Sequence, residues 1–209
     1  MKFTIIEPRA LDANNSIVAT KCPHCNHNGT FHSFTNDVYS HSADRIFAVR
    51  RCPNPKCYGQ LFVVLSSGGK IIITYPSETI PFEKDGIPDM VLNSFEEAII
   101  CHANNCFVAS AIMIRKTLEV ICADRSVKGE NLYKRLINLS SKILIPKELI
   151  EGMQELRLLG NDAAHIETTA FNAVGKNEIE ISIEFTKEIL KAVYQYEGLL
   201  GKLKSLKKS

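Results

Sequence analysis

Residues 105–124 read NCFVASAIMIRKTLEVICAD and predict a long helix that decides the fold of the second half of the chain. Its apolar side chains recur at intervals of four, three, four and three residues. They are Phe107, Ala111, Ile114, Leu118 and Ile121. This spacing places them on one face of an α-helix. Because such a face must be buried against other elements, the stretch predicts a helical bundle.

Helical patterns continue on both sides of this stretch. The predicted helices are, in order, one from Asp89 or Ser94 to about Ala103, the helix from about Asn105 to Asp124, one from about Glu130 to Ser140, one that starts after Pro146 and runs through residues 157–165, and one from about Thr186 to Leu206. Residues 178–185 are ambiguous, because their isoleucines alternate as in a short strand.

The first 85 residues have the composition of β-structure instead. Phe47–Val49, Gln60–Leu65 and Lys70–Tyr75 are predicted strands, and residues 66–69 form a hairpin loop between the last two. Residues 76–88 contain three prolines and are a predicted linker. The chain is therefore predicted to be α+β, with a small β-rich domain over 1–80 and an all-α bundle over 81–209.

Two short-spaced cysteine pairs lie in the β-rich half. Cys22 and Cys25 are separated by two residues, and Cys52 and Cys57 by four. Two tight loops of this kind bring four thiolates to one point, which predicts a zinc ribbon with a closed, structural Zn²⁺ site. His24 or His27 could replace one cysteine, although four cysteines suffice. Cys101, Cys106 and Cys122 fall on helices and are expected to be small buried side chains.

Composition and charge restrict the class of protein. The 209 residues are 45% hydrophobic and 23% charged, as in an ordinary globular protein. The seven cysteines are an odd number, and residues 1–8 lack the pattern of a signal peptide, so we expect a cytoplasmic protein without a disulfide framework. No apolar run approaches the length of a membrane helix. The net charge of +2 is too small for a strong electrostatic attraction to nucleic acid.

Two groups of polar residues lie on the predicted helices. Arg157, Asn161 and His165 are spaced four residues apart, so they form one slanting polar stripe beside the packed face of their helix. Arginine can hold a phosphate in a fixed fork, and histidine can transfer a proton near neutral pH. Arg115 and Glu119 are also four residues apart. They either form an intrahelical ion pair or place Arg115 in the same cleft as the stripe.

The same residues carry a resemblance to a known family. The knuckles CPHC and CPNPKC, a proline-rich linker, RKTLE at 115–119 and RLLGNDAAH at 157–165 are similar to the bacterial family called domain of unknown function 4145. That family is identified as part of the HEPN superfamily. The resemblance implies a HEPN-like bundle of four to five helices that forms a homodimer, and a metal-independent ribonuclease of a defence or toxin–antitoxin system.

In that superfamily an arginine and a histidine separated by four to six residues form the active site, so the resemblance assigns these roles to Arg157 and His165. Here seven residues separate them. Either Gly160 breaks the helix and brings the two together, or the site has lost its activity. The expected function is RNA cleavage or RNA binding. The alternative is a non-catalytic module that binds a partner protein of a defence or toxin–antitoxin system and carries a structural zinc ribbon.

Overall fold

The computed structural model of the protein describes residues 8–11, 17–33, 35–143, 145–164 and 174–206, and of residues 8–11, 164 and 197 it describes the backbone alone. The chain divides into two compact units, residues 1–81 and residues 82–209. The first contains strands and the second contains helices. The α+β class predicted from the sequence is confirmed.

In the residues that the structure describes, the first unit is a curled antiparallel sheet of seven strands. The strands are β1 (Pro8–Leu11), β2 (Val18–Lys21), β3 (Asn28–Ser33), β4 (Asp37–Ser40), β5 (Arg45–Arg51), β6 (Gln60–Ser66) and β7 (Ile71–Tyr75). β5 is central, because β6 pairs with its whole length on one edge while β4 and β3 share the other edge. The predicted strand over residues 47–49 is the middle of β5.

Side chains alternate along β5 as expected for a strand with one buried face. Ile46 and Ala48 point into the core, and so does Arg50, whose side chain is completely buried. Its guanidinium donates to both carboxylate oxygens of the equally buried Asp37 on β4, at 2.7 and 2.6 Å. This two-pronged geometry compensates the cost of burying both charges.

In its described residues, the second unit contains six α-helices. They are α1 (Asp89–Ala103), α2 (Phe107–Asp124), α3 (Leu132–Leu139), α4 (Lys147–Ala164), α5 (Lys176–Leu190) and α6 (Tyr196–Ser205). Asn131 caps α3 by accepting a hydrogen bond from the backbone N–H of Lys134. A π-helical turn over Lys191–Gln195 joins α5 to α6.

α2 is the central helix of this unit and contacts α1, α3, α4 and α5. Ala111, Ile114, Leu118 and Ile121 of the predicted stripe are all buried. Polar side chains on α2 are also satisfied inside the unit. The hydroxyl of Ser110, for example, donates to the backbone carbonyl of Ala98 on α1 at 2.8 Å. The apolar periodicity of residues 107–121 therefore marks the core of the bundle.

The end of the chain differs from the prediction. Residues 178–185 are helical and belong to α5, because Ile179 and Ile183 recur one helical turn apart in the core while Ile181 is exposed. The helix predicted to begin at Thr186 begins ten residues earlier, at Lys176. The π-helical turn then divides it, so this region holds two helices instead of one.

We expect Asp37→Asn to destabilise the β unit by about 3–5 kcal/mol, because it leaves the buried Arg50 charge without a carboxylate. Urea unfolding followed by circular dichroism measures the loss. The matched control is Asp44→Asn, since Asp44 is an exposed acid that accepts hydrogen bonds from Tyr39 and Ser67. This control should change stability by no more than about 0.5 kcal/mol. Equal stability of the two variants would contradict the assigned role of the ion pair.

Candidate functional site

The four cysteines of the two pairs lie together in the β unit. The sulfur atoms of Cys22, Cys25, Cys52 and Cys57 all lie within 4.8 Å of one another. Cys22 Sγ is 3.9 Å from Cys57 Sγ, and Cys25 Sγ is 3.8 Å from Cys52 Sγ. A tetrahedral ion with bonds of about 2.3 Å to sulfur requires S···S distances of about 3.8 Å. The cluster therefore has the dimensions of a four-thiolate metal site.

Two similar backbone loops build this cluster. In the first loop, the backbone N–H of Cys22 donates to the carbonyl of His27, and in the second that of Cys52 donates to Gly59, both at 2.9 Å. The residue after each second cysteine, Asn26 or Tyr58, has a positive φ, which closes the loop. The position of each cysteine pair is thus determined by the backbone of its own loop.

Neighbouring groups favour the thiolate form in part of the cluster. The backbone N–H of Asn54 lies 3.4 Å from Cys52 Sγ, and that of Gly59 lies 3.4 Å from Cys57 Sγ. A hydrogen bond from the backbone of His27 lowers the pKa of the Cys25 thiol to about 7, whereas burial raises the pKa of Cys52 to about 12. A bound cation would overcome the raised pKa of Cys52, because a thiol that coordinates a metal loses its proton.

The histidines of the first loop are not part of this cluster. The Nε2 atom of His24 instead lies 2.9 Å from the backbone carbonyl oxygen of Gln60.

The three cysteines of the helical unit differ in burial. Cys122 is buried, which raises its pKa to about 11, and Cys101 is half-buried. Cys106 is exposed, so the expectation that it is a buried side chain is wrong. It lies at the turn before α2, where the chain reverses between two helices.

In the helical unit, the structure brings Arg115 and Asn161 together. Arg115 Nη1 donates to Asn161 Oδ1 at 3.0 Å, from α2 to α4. The same guanidinium lies 3.4 Å from the carboxylate of Glu119, so Arg115 also forms the intrahelical ion pair. The intrahelical ion pair with Glu119 is therefore present, and Arg115 also contacts Asn161 of the predicted polar stripe.

Gly160 makes this contact between α2 and α4 possible. A Cβ atom at this position would lie 2.5 Å from Arg115 Cβ and 2.9 Å from the backbone oxygen of Ala111. Neither neighbour is the flexible end of a side chain, so only glycine permits the observed approach. The helix does not break here, since α4 continues through Gly160 to Ala164.

Arg157 lies one turn before Asn161 on α4 and has a different environment. Its Nε donates to Gln154 Oε1 at 3.0 Å, and its guanidinium carbon lies 5.5 Å from the centre of the Tyr133 ring. Among the described residues, no carboxylate forms an ion pair with Arg157. The guanidinium is therefore contacted by neutral groups, and no carboxylate in the described part of the chain compensates its charge.

His165, the third residue of the predicted stripe, lies outside the described residues. Its placement relative to Arg157 thus stays a prediction. Sequence reasoning missed Tyr133 and Gln154, the two residues that hold Arg157. The contact of Gln154 with Arg157 was predictable, because residues three apart are neighbours on a helix. Tyr133 lies on α3, and only tertiary packing brings it near Arg157.

A comparison with protein families gives one result for this unit. Residues 96–209 match the family described as domain of unknown function (DUF4145). The chain belongs to this family. The matched residues include α2 and α4, so Arg115, Gly160 and Arg157 all lie within the DUF4145 domain, and the four-cysteine cluster precedes it.

Two further comparisons find nothing similar, since no curated protein and no solved structure matches this DUF4145 protein. None of the helices in the described part of the chain combines the length and the hydropathy that a membrane-spanning segment needs.

We expect the purified protein to hold one metal ion per chain in the four-cysteine cluster. Cys52→Ser removes one ligand and should lower the metal content well below one ion per chain, as measured by mass spectrometry of the elements. It should also destabilise the β unit, because metal binding is coupled to folding. Cys106→Ser is the control, since Cys106 is exposed and lies outside the cluster. An equal metal content in both variants would refute the site.

We expect Gly160→Ala to lower the stability of the DUF4145 domain by about 1–3 kcal/mol, because the added methyl group meets the backbone of α2. Gly201→Ala is a matched control, since a Cβ there has nothing within 4 Å. That exposed helical position should gain up to about 1 kcal/mol from alanine. Thermal unfolding of both variants checks the prediction. An unchanged melting temperature for Gly160→Ala would mean that α2 and α4 are not held this closely.

Proposed function

We propose that the protein binds RNA through the polar face of α4 and cleaves it without a catalytic metal ion. The described residues of this face are Arg157 and Asn161, with Arg115 beside them, and we propose that His165, which follows α4 in the sequence, acts with them. The single observation that carries the proposal is the state of Arg157, which is immobilised by neutral groups and lacks a carboxylate partner among the described residues.

The charge of Arg157 supports phosphate as the ligand. An arginine that is paired with a carboxylate is already satisfied, whereas an uncompensated guanidinium attracts an anion. Its contacts with Gln154 and Tyr133 also reduce the freedom that would be lost on binding. Arg115 is itself paired with Glu119, and its hydrogen bond holds Asn161 in place one helical turn along α4. A nucleic-acid phosphate fits this arrangement better than a neutral ligand does.

The proposed reaction is the transesterification that RNA can undergo by itself. The 2′-hydroxyl oxygen attacks the neighbouring phosphorus, the bond from phosphorus to the 5′-oxygen breaks, and the products are a 2′,3′-cyclic phosphate and a 5′-hydroxyl. A base must take the proton of the 2′-hydroxyl, and an acid must protonate the leaving oxygen. Arg157 stabilises the additional negative charge on the phosphate oxygens. Asn161 orients the imidazole or a phosphate oxygen.

His165 supplies the proton transfers in this proposal. A single chain has one such histidine, so a homodimer with its twofold axis beside α4 supplies two. One His165 then acts as the base and the other as the acid. This arrangement requires that the dimer places both histidines in one cleft.

The β unit is proposed to be a zinc ribbon that stabilises the chain. Four thiolates within 4.8 Å of one another, two pairs of them at 3.8 and 3.9 Å, suit tetrahedral Zn²⁺, and iron is the main alternative ion for four sulfurs. All four positions are occupied by protein ligands, so the ion has a structural role. The metal analysis described above distinguishes zinc from iron. The helical unit is proposed to be a HEPN-like bundle.

The biological setting is proposed from the resemblance to the DUF4145 family and the HEPN superfamily. The protein is a cytoplasmic component of a bacterial defence or toxin–antitoxin system. A second candidate function is a non-catalytic interaction module with a structural zinc ribbon, which binds a partner protein of such a system. One specific observation favours this candidate, namely the row of exposed apolar side chains on α6.

We expect the wild-type protein to cleave single-stranded RNA in a buffer without Mg²⁺ and with enough EDTA to bind free divalent ions. The products should carry cyclic-phosphate ends. His165→Ala should remove cleavage and keep most RNA binding, whereas Arg157→Ala should weaken both. Gel analysis of end-labelled RNA and fluorescence anisotropy measure the two effects. The metal content of the cysteine cluster is measured after the EDTA incubation, so that loss of the structural ion is not mistaken for a catalytic effect.

Lys147→Ala is the matched control, because Lys147 is an exposed cation on the same helix and pairs with Glu151. It removes one positive charge without touching the proposed site. Cleavage that survives in His165→Ala would contradict the proposed proton transfers by His165. Absence of both cleavage and binding in the wild type would favour the interaction module.

A further inference from the structure

Cys101 and Cys106 lie at the two ends of the turn between α1 and α2. Cys101 is half-buried in the last turn of α1, and Cys106 is the exposed residue that precedes α2. Neither cysteine belongs to the four-cysteine cluster of the β unit, and the proposed RNA chemistry does not use them. The two thiols are therefore a separate reactive pair in the helical unit.

The backbone of this turn forms a Schellman motif, in which two hydrogen bonds close the end of a helix. The backbone N–H of Cys106 donates to the carbonyl oxygen of Cys101 at 2.8 Å, and that of Asn105 donates to the carbonyl oxygen of His102 at 2.9 Å. Asn105 has a φ of 59°, which is the left-handed conformation that this motif requires. One of the two bonds thus joins the two cysteines directly.

This hydrogen bond sets an upper limit on the distance between the two Cα atoms. The Cα of Cys101 lies about 2.4 Å from its own carbonyl oxygen, and the Cα of Cys106 lies about 1.5 Å from its own nitrogen. With 2.8 Å between that oxygen and that nitrogen, the Cα atoms are at most about 6.7 Å apart. Disulfides join cysteines whose Cα atoms are about 4.4–6.8 Å apart, and side chains at these two positions of the motif commonly contact each other.

The two thiols have different environments. Burial raises the pKa of the Cys101 thiol, and the nearby Cys106 and Glu97 raise it further. Cys106, in contrast, is open to solvent. An oxidant in solution therefore reaches Cys106 first, and Cys101 is the neighbouring thiol that can react with the oxidised sulfur.

Cys106 has no structural role that a cysteine fills well. It precedes α2 at the N-cap position, where serine, threonine, aspartate and asparagine are favoured because they accept a hydrogen bond from the helix. The Cys106 side chain accepts no such bond, and its Sγ instead lies 3.7 Å from the backbone oxygen of Asn104. Since the side chain is also exposed, it adds nothing to the core. The reactivity of the thiol is the property that remains.

We propose that Cys101 and Cys106 are a reversible thiol–disulfide pair, oxidised by hydrogen peroxide, that joins the end of α1 to the start of α2. Peroxide converts the Cys106 thiol to a sulfenic acid and releases one water. The Cys101 sulfur then attacks the Cys106 sulfur, the S–S bond forms, and the hydroxyl group leaves with the Cys101 proton as a second water. In total, the two thiols lose two protons and two electrons, and the peroxide is reduced. A reducing thiol such as glutathione reverses the change by thiol–disulfide exchange.

The fold favours this bond in two ways. The turn already has the conformation that a disulfide needs, so oxidation requires rotation of two side chains and no change in the turn. The covalent bond in return stabilises the connection between α1 and α2. Transient disulfides of this kind are the type that redox-sensing cytoplasmic proteins form. The inference is independent of the RNA-directed function, and its test uses no RNA.

The test detects the disulfide by mass spectrometry of peptides from the full chain. After exposure to hydrogen peroxide, free thiols are blocked with iodoacetamide in urea, and the protein is digested with trypsin. Cys101 and Cys106 are the only cysteines in the tryptic peptide over residues 85–115, and Cys122 is the only one in the peptide over residues 117–125. We expect the first peptide to lose two hydrogen atoms and take up no alkyl group, and dithiothreitol to reverse both changes. The peptide of the buried Cys122 should stay fully alkylated.

Two variants test the roles of the thiols. In Cys101→Ser, the sulfenic acid of Cys106 lacks its partner, so labelling of Cys106 by dimedone should rise several-fold above that of the wild type. In Cys106→Ser, Cys101 should remain available to iodoacetamide after the same treatment. The wild-type chain should gain a few degrees in melting temperature on oxidation, whereas Cys106→Ser treated in the same way should not.

A further measurement tests whether the turn itself favours the disulfide. Equilibration with reduced and oxidised glutathione gives the ratio of disulfide to dithiol, in the folded chain and in concentrated urea. We expect the folded chain to favour the disulfide at least tenfold more strongly, because the Schellman motif holds the two cysteines together. Asn105→Val should reduce this preference, since a β-branched residue disfavours a positive φ, and Asn105→Gly is the control that should keep it.

Several outcomes would overturn the inference. One is full alkylation of Cys101 and Cys106 after exposure to peroxide. Another is a disulfide from either residue to a cysteine of the β unit or of a second chain in place of the internal bond. An equal preference for the disulfide in the folded and the unfolded chain, or a melting temperature that falls on oxidation in the wild type alone, would show that the turn does not favour the bond.

Discussion

The close approach of α2 and α4 at Gly160 is the constraint on which the helical unit depends. It places the Arg115 side chain against the backbone of α4, and so determines that the guanidinium reaches Asn161. A methyl group at this point would separate the helices. Since α2 also contacts α1, α3 and α5, a shift of α2 would disturb the whole core. Gly160 is thus needed both for the packing of the helices and for the contact between Arg115 and Asn161.

The β unit has a different source of order. Its core is small, and four of its sulfur atoms gather at one end of the sheet, where Cys22 and Cys52 belong to the apolar cluster itself. A metal ion there would connect two loops that are otherwise held by short-range hydrogen bonds. The buried pair of Arg50 and Asp37 joins β5 to β4. A bound ion would supply part of the stabilisation that the small hydrophobic core of such a domain lacks.

Two cationic regions of the helical unit have different surroundings. Arg157 has no carboxylate partner among the described residues and suits a phosphate, whereas Lys202 and Lys204 border an exposed apolar row. The two regions lie on different helices, α4 and α6, so an RNA-directed activity and a partner that controls it could coexist in one domain. The distinction rests on what surrounds each cation, since a charge on its own does not specify a ligand.

The sequence by itself determined the features that depend on local spacing. The two cysteine loops, the apolar stripe of α2 and the change from strands to helices were all predicted, because each reflects the period of a strand, a helix or a tight turn. Only the tertiary structure decided that residues 178–185 are helical, that the Tyr133 ring lies beside Arg157, and that the apolar row on α6 is exposed within the described part of the chain. These features depend on which segments distant in the chain become neighbours, and a local pattern carries no information about its neighbours in space.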